Sequence, residues 1–173
     1  MLSRIRTAAA QRTLRIGALA ALFFAAGACG AEESHKAVLS AYTNGAAGAS
    51  LLAGDYASVI RRLNGHGAAF HEDVVAGSTN LCVAFIMTRH WEAAQAACDE
   101  ALALAQLHGG GPTLYTRRDH DEQIALAYSN RAVLHWLQSQ RDSAASDIAK
   151  AQALAPQASF VSQNVAVLGT KSA

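Results

Sequence analysis

The sequence predicts an all-α fold, a short α-solenoid of about three antiparallel helix pairs plus a closing helix, on three observations. First, an asparagine followed by one free position and then Ala or Cys recurs: Asn44 in "YTNGAAG", Asn80 in "STNLCVA", Asn130 in "YSNRAVL" and Asn164 in "SQNVAVL". These asparagines are 36, 50 and 34 residues apart. Two of the spacings approach the roughly 34-residue period of stacked helix-turn-helix units, and the third adds about 16 residues. Second, alanine-rich stretches of about 10 to 15 residues are broken at "HGGGP" (108–112) and "ALAP" (153–156), the punctuation of helix ends. Third, no alternating β-branched run of useful length appears.

Residues 1–28 read as a secretory signal. Arg4, Arg6, Arg12 and Arg15 stand without an acid, Ile16 to Ala28 is an apolar run, and the small residues of "AGAC" mark a cleavage site. The run is short for a bilayer span and is followed by Glu32 and Glu33. The expectation is a mature chain beginning between Cys29 and Glu32, exported to the periplasm or associated with the outer membrane. "AGAC" also resembles a bacterial lipoprotein box, departing from it at Ala26, where a larger aliphatic residue is usual. Cys29 is therefore a candidate lipidation site and the only expected route to a membrane. Of 14 basic and 13 acidic residues, four arginines belong to the signal, so the remainder carries a net charge of −3. A mildly acidic domain lacks the electrostatic footprint of a nucleic-acid binder.

Residues 32–72 read as a degenerate repeat, 75–108 as a helix pair, 109–124 as a loop insertion, 125–158 as a second pair and 159–168 as the closing helix. In "NLCVAFIMTRHWEAAQAACDEALALA" two antiparallel helices turning near Arg89 and His90 place Cys82 and Cys98 at similar heights on facing sides. In an exported chain that pair is expected to be a disulfide; in a reducing compartment the two would be buried thiols.

The stretch "ALAYSNRAVLHWLQSQRDSAASDIAKAQALAP" (125–156) resembles a tetratricopeptide repeat, with Ala132 at the close crossing, Ala144 and Ala151 in the second helix and Pro156 closing it. Residues 75–108 resemble a second copy through Leu81, Cys82, Phe85, Trp91, Ala94, Cys98 and Ala101, with Gln106 where proline is usual; 38–72 are a weaker copy with Val59 in place of alanine. The resemblance implies that first helices line a concave face, along which Asn44, Asn80, Asn130 and Asn164 form a ladder. Such a ladder either ties neighbouring helices together or offers its amides to the backbone of an extended peptide, with Val83, Met87, Val133, Leu134 and Leu137 giving apolar contact. The family's clamp on a C-terminal carboxylate needs cations on that face, and Ala41, Gly45, Ala76 and Leu126 occupy neighbouring positions with only Arg131 nearby. Arg131 either points to solvent or pairs with an acid, with His135 and Gln138 on the same strip.

No fragment assembles a catalytic or metal site. "HGGG" (108–111) lacks a G-x-S-x-G elbow, and "HED" (71–73) lacks the second histidine of a zinc helix. "RRDHDEQ" (117–123) reads as a helix cap at Asp119, with Glu122 three residues on. The expectation is a non-enzymatic scaffold or adaptor in the bacterial cell envelope, without cofactor, partnered by another envelope protein or peptide. A structural oligomerising lipoprotein and an envelope-processing enzyme are the alternatives, and the sequence assigns no oligomeric state.

Overall fold

A computed structural model describes residues 36–44, 47–64, 74–107 and 114–169. Within them the chain is all-α: α1 (Gly48–Leu52), α2 (Tyr56–Asn64), α3 (Val74–Met87), α4 (Trp91–Leu107), α5 (Leu114–Leu137), α6 (Arg141–Leu154) and α7 (Ser159–Leu168). Each helix packs on the next from α1 to α7; in addition α3 meets α1, and α5 touches both α3 and α7. Small residues allow the close crossings. Ala94, Ala105, Ala125, Ala132 and Ala151 are completely buried, and replacing them with bulk would force the helices apart. No described helix is long and apolar enough to cross a membrane.

The pairs α3–α4 and α5–α6 are joined by the same turn. His90 N–H donates to Phe85 C=O at 3.0 Å and Arg89 N–H to Ile86 C=O at 3.1 Å; Gln140 N–H donates to His135 C=O at 2.8 Å and Ser139 N–H to Trp136 C=O at 3.0 Å. Arg89 (φ 60°) and Ser139 (φ 64°) take the left-handed conformation that such helix ends require. Between α3 and α4, Cys82 and Cys98 form a disulfide with a Cα–Cα separation of 4.7 Å. The bond lies in a core cluster with Phe85, Ile86, Ala94 and Leu134.

Two sequence boundaries need correction. Residues 32–72 contain no full helix pair in their described part, because residues 36–42 are non-helical and α1 has only five residues. The cause is local: "TNG" is a turn sequence, and a Cβ on Gly48 would collide with the Thr43 carbonyl, so the chain folds back on itself there. The insertion placed at 109–124 is helical from Leu114 onward and belongs to α5. From there the helix is free of glycine and proline and rich in Leu, Ala and Arg, so helix propensity continues without a break. Asp119 and Glu122 therefore stand exposed within α5, and Asp119 is not a cap.

Candidate functional site

Residues 36–42 run as a strap across α3, α5 and α7, held by three asparagine side chains. Asn164 accepts from Val38 N–H at 2.7 Å and donates to Val38 C=O at 2.8 Å. Asn130 does the same to Ser40 at 2.8 and 2.7 Å, and Asn80 to Tyr42 at 2.9 and 3.0 Å. Bonding at every second residue is the signature of an extended chain, whose N–H and C=O groups at i, i+2 and i+4 share one edge. A carboxamide offers one acceptor and one donor in a plane, so each asparagine imitates the neighbouring strand of a sheet. The strap crosses the helices in reverse chain order, and its partners lie 126, 90 and 38 residues away in sequence.

The helices aim these amides for a simple reason. Asn80, Asn130 and Asn164 sit on the inner faces of α3, α5 and α7 and are at most 1% exposed. A buried amide left unpaired would cost about 1–3 kcal/mol, and the strap's main chain satisfies both its ends. Asn164 also donates to Ser129 Oγ at 2.8 Å, linking α7 to α5. The ladder thus ties neighbouring helices in one place and holds an extended backbone in all three. The intervening strap side chains anchor it: Leu39 packs against all three core clusters, Ala37 against the cluster of α5, α6 and α7, and Ala41 is buried in the cluster that contains Val59 and Val83.

The remaining candidates fall in different places. Leu134 is completely buried in the cluster beneath Leu39, and Met87 is half-buried beside the cluster holding Ala41. Asn44 does not join the ladder. It is exposed in the turn after the strap, where the Asn-Gly turn preference overrides its likeness to the other three. Cys29, "HED" and "HGGG" lie outside the described residues.

Arg131 pairs with acids. Its Nε and Nη2 donate to Asp147 at 2.7 and 3.0 Å, and its Nη1 to Asp99 at 2.7 Å. The bonds to Asp147, the principal cause, hold the guanidinium well above its ordinary pKa, so its charge is permanent. Asp147, with a side chain only 5% exposed, is also approached by Lys150 at 3.5 Å and His135 at 3.7 Å. These groups border an open pocket of about 480 Å³ with Asp142, Ser143 and Ser146. Because Arg131 is already engaged by two carboxylates, this is an ion-pair network joining α4, α5 and α6.

The sequence reading missed the strap and the acids that meet Arg131. The strap's signal was present in "KAVLSAY", where Ala37, Leu39 and Ala41 alternate with other residues before a turn. Comparison of the chain with protein-family models, with curated proteins and with solved structures finds no match.

Proposed function

We propose that this protein is a non-enzymatic interaction scaffold or adaptor of the bacterial cell envelope, built on a tetratricopeptide-like solenoid whose asparagine ladder takes up an extended polypeptide. The observation that carries this reading is the paired bonding of Asn80, Asn130 and Asn164 to alternate backbone units of residues 38–42. Recognition through main-chain groups is tolerant of side-chain identity, while apolar positions between them select a sequence. The disulfide favours an oxidising compartment, in keeping with an arginine-rich, apolar N-terminal sequence that directs export, with Cys29 as its candidate lipid anchor.

In the folded chain the ladder is filled by the protein's own strap, so a peptide enters only when the strap leaves. The test uses the full chain carrying Ser40→Pro, which removes the N–H that Asn130 accepts. A labelled peptide of residues 36–44 is expected to bind this variant at least about tenfold more tightly than the wild type, measured by fluorescence anisotropy, in line with relief from an intramolecular competitor. The same peptide N-methylated at Ser40 is expected to lose binding. A cooperatively folded variant that ignores both peptides would refute the reading.

A further inference from the structure

We infer that the ladder exchanges straps between two copies of this chain, giving a reciprocal dimer in which residues 37–42 of each copy lie on Asn80, Asn130 and Asn164 of the other. The inference rests on the proposed use of the ladder for extended backbone and names the segment that fills it. The sequence seen to fit this groove is the strap itself, with Leu39 over all three core clusters and Ala41 only 4% exposed. A second copy carries the same strap, and every bond made in one chain can be made between two.

The junction between strap and helices favours opening. Ala47 holds φ at 64°, a conformation that disfavours side chains with a Cβ, and Gly48 is pressed against the Thr43 backbone so closely that no side chain fits. A tight hinge in an unfavourable conformation is released when the hinge extends, which is the usual route to exchange of an element between protomers. Leu52, one of the few exposed large apolar side chains among the described residues, at 57%, lies on α1 just past this hinge. In the exchanged pair the two hinges cross, and Leu52 beside each crossing is an apolar side chain that the partner copy can cover. The reciprocal arrangement leaves no ladder empty and no strap unpaired, so it closes at two copies.

The test mixes two full-length variants that fail in complementary ways. Ser40→Pro cannot donate a strap but keeps its ladder; Asn130→Leu keeps its strap but has a defective ladder. Light scattering and native mass spectrometry are expected to show a concentration-dependent dimer for the wild type, loss of dimer for each variant alone, and a mixed dimer when the two are combined. A parallel arm incubates isotope-labelled and unlabelled wild-type chains and seeks dimers of intermediate mass, so the result does not depend on either variant folding. A wild type that stays monomeric at all concentrations, or a dimer that persists in Ser40→Pro, overturns the inference. The labelled peptide separates the two readings: peptide binding without exchange between chains removes the dimer alone, whereas a folded Ser40→Pro chain that ignores the peptide removes the groove reading as well.

Discussion

The pairs α3–α4 and α5–α6 share one frame at an offset of 50 residues but close their seams with different chemistry. Asn80 corresponds to Asn130, the last residues Met87 and Leu137 correspond, as do the first residues Trp91 and Arg141, and the turns between them make equivalent bonds. Cys82 and Cys98, joined covalently in the first pair, correspond to Ala132 and Ile148, both buried in one cluster of the second. Leu81 and Ala97, which belong to the apolar core, correspond to Arg131 and Asp147, which form the ion pair. Retained features are those with a backbone purpose: the amide that receives the strap, the small residue at a crossing, the left-handed turn. The chemistry of the seam is interchangeable, because a crosslink, a packed aliphatic group or a paired charge can each hold two helices together.

The disulfide is the largest difference to break. Replacing Cys82 and Cys98 together with alanine is expected to lower stability by about 3 kcal/mol, the chain-entropy value for a loop of this size, read from urea unfolding with a steeper slope, because the denatured chain without the crosslink exposes more surface. Transferring the feature sharpens the comparison. Ala132→Cys with Ile148→Cys should form a second bridge, detected by non-reducing peptide mapping, with a smaller gain because the Ile148 packing is lost. If oxidised protein leaves the two new thiols free, the seams are not equivalent.

Asn130→Ala comes next. It strips both partners from the buried Ser40 backbone and is expected to lower stability by about 2–3 kcal/mol, with faster tryptic cleavage after Lys36 as the strap lifts. Asn80→Ala should follow it at a somewhat smaller magnitude, since Tyr42 is only half-buried. A thermal melt unchanged in either variant would mean that the strap contributes nothing to the fold.

Arg131→Leu, which installs the residue of the first pair, leaves Asp147 with only Lys150 and His135. The expected cost is about 1–2 kcal/mol, below that of a fully buried pair because the Arg131 side chain is 18% exposed. Arg131→Leu with Asp147→Ala restores the apolar pair in full and should recover most of that loss in the same denaturation experiment. Failure of the double variant to recover would show that the ion pair does more than occupy a seam.

These differences also mark what the sequence could disclose. The all-α class and the Cys82–Cys98 pairing were legible, because helical periodicity and the heights of two residues either side of a turn are local arithmetic. The α5 extension was obscured by a neighbouring glycine run, which suggested a loop where helix formers resume at Leu114. The strap was obscured for a different reason. Its partners lie 38 to 126 residues away, and a short extended segment acquires its meaning only from the helices it crosses. Arg131 shows the same limit: an arginine at a helical position announces a need for acid, while Asp99 and Asp147 are supplied by two other helices.

The smallest expected effect tests the retained frame. Arg89 and Ser139 occupy corresponding positions past the ends of α3 and α5, both with positive φ and both exposed. A left-handed residue with a Cβ is disfavoured by about 1 kcal/mol relative to glycine, the residue that most often closes a helix in this way. Arg89→Gly and Ser139→Gly should therefore each stabilise the protein, by somewhat less than that amount because glycine also gains freedom in the unfolded chain. The two gains should be nearly equal and additive, since the sites lie in different pairs and share no partner. Differential scanning calorimetry of the two single variants and the double variant reads this directly. A gain at one turn and a loss at the other would show that the corresponding bonds conceal different strain, and the 50-residue frame would then hold for hydrogen bonding but not for backbone energetics.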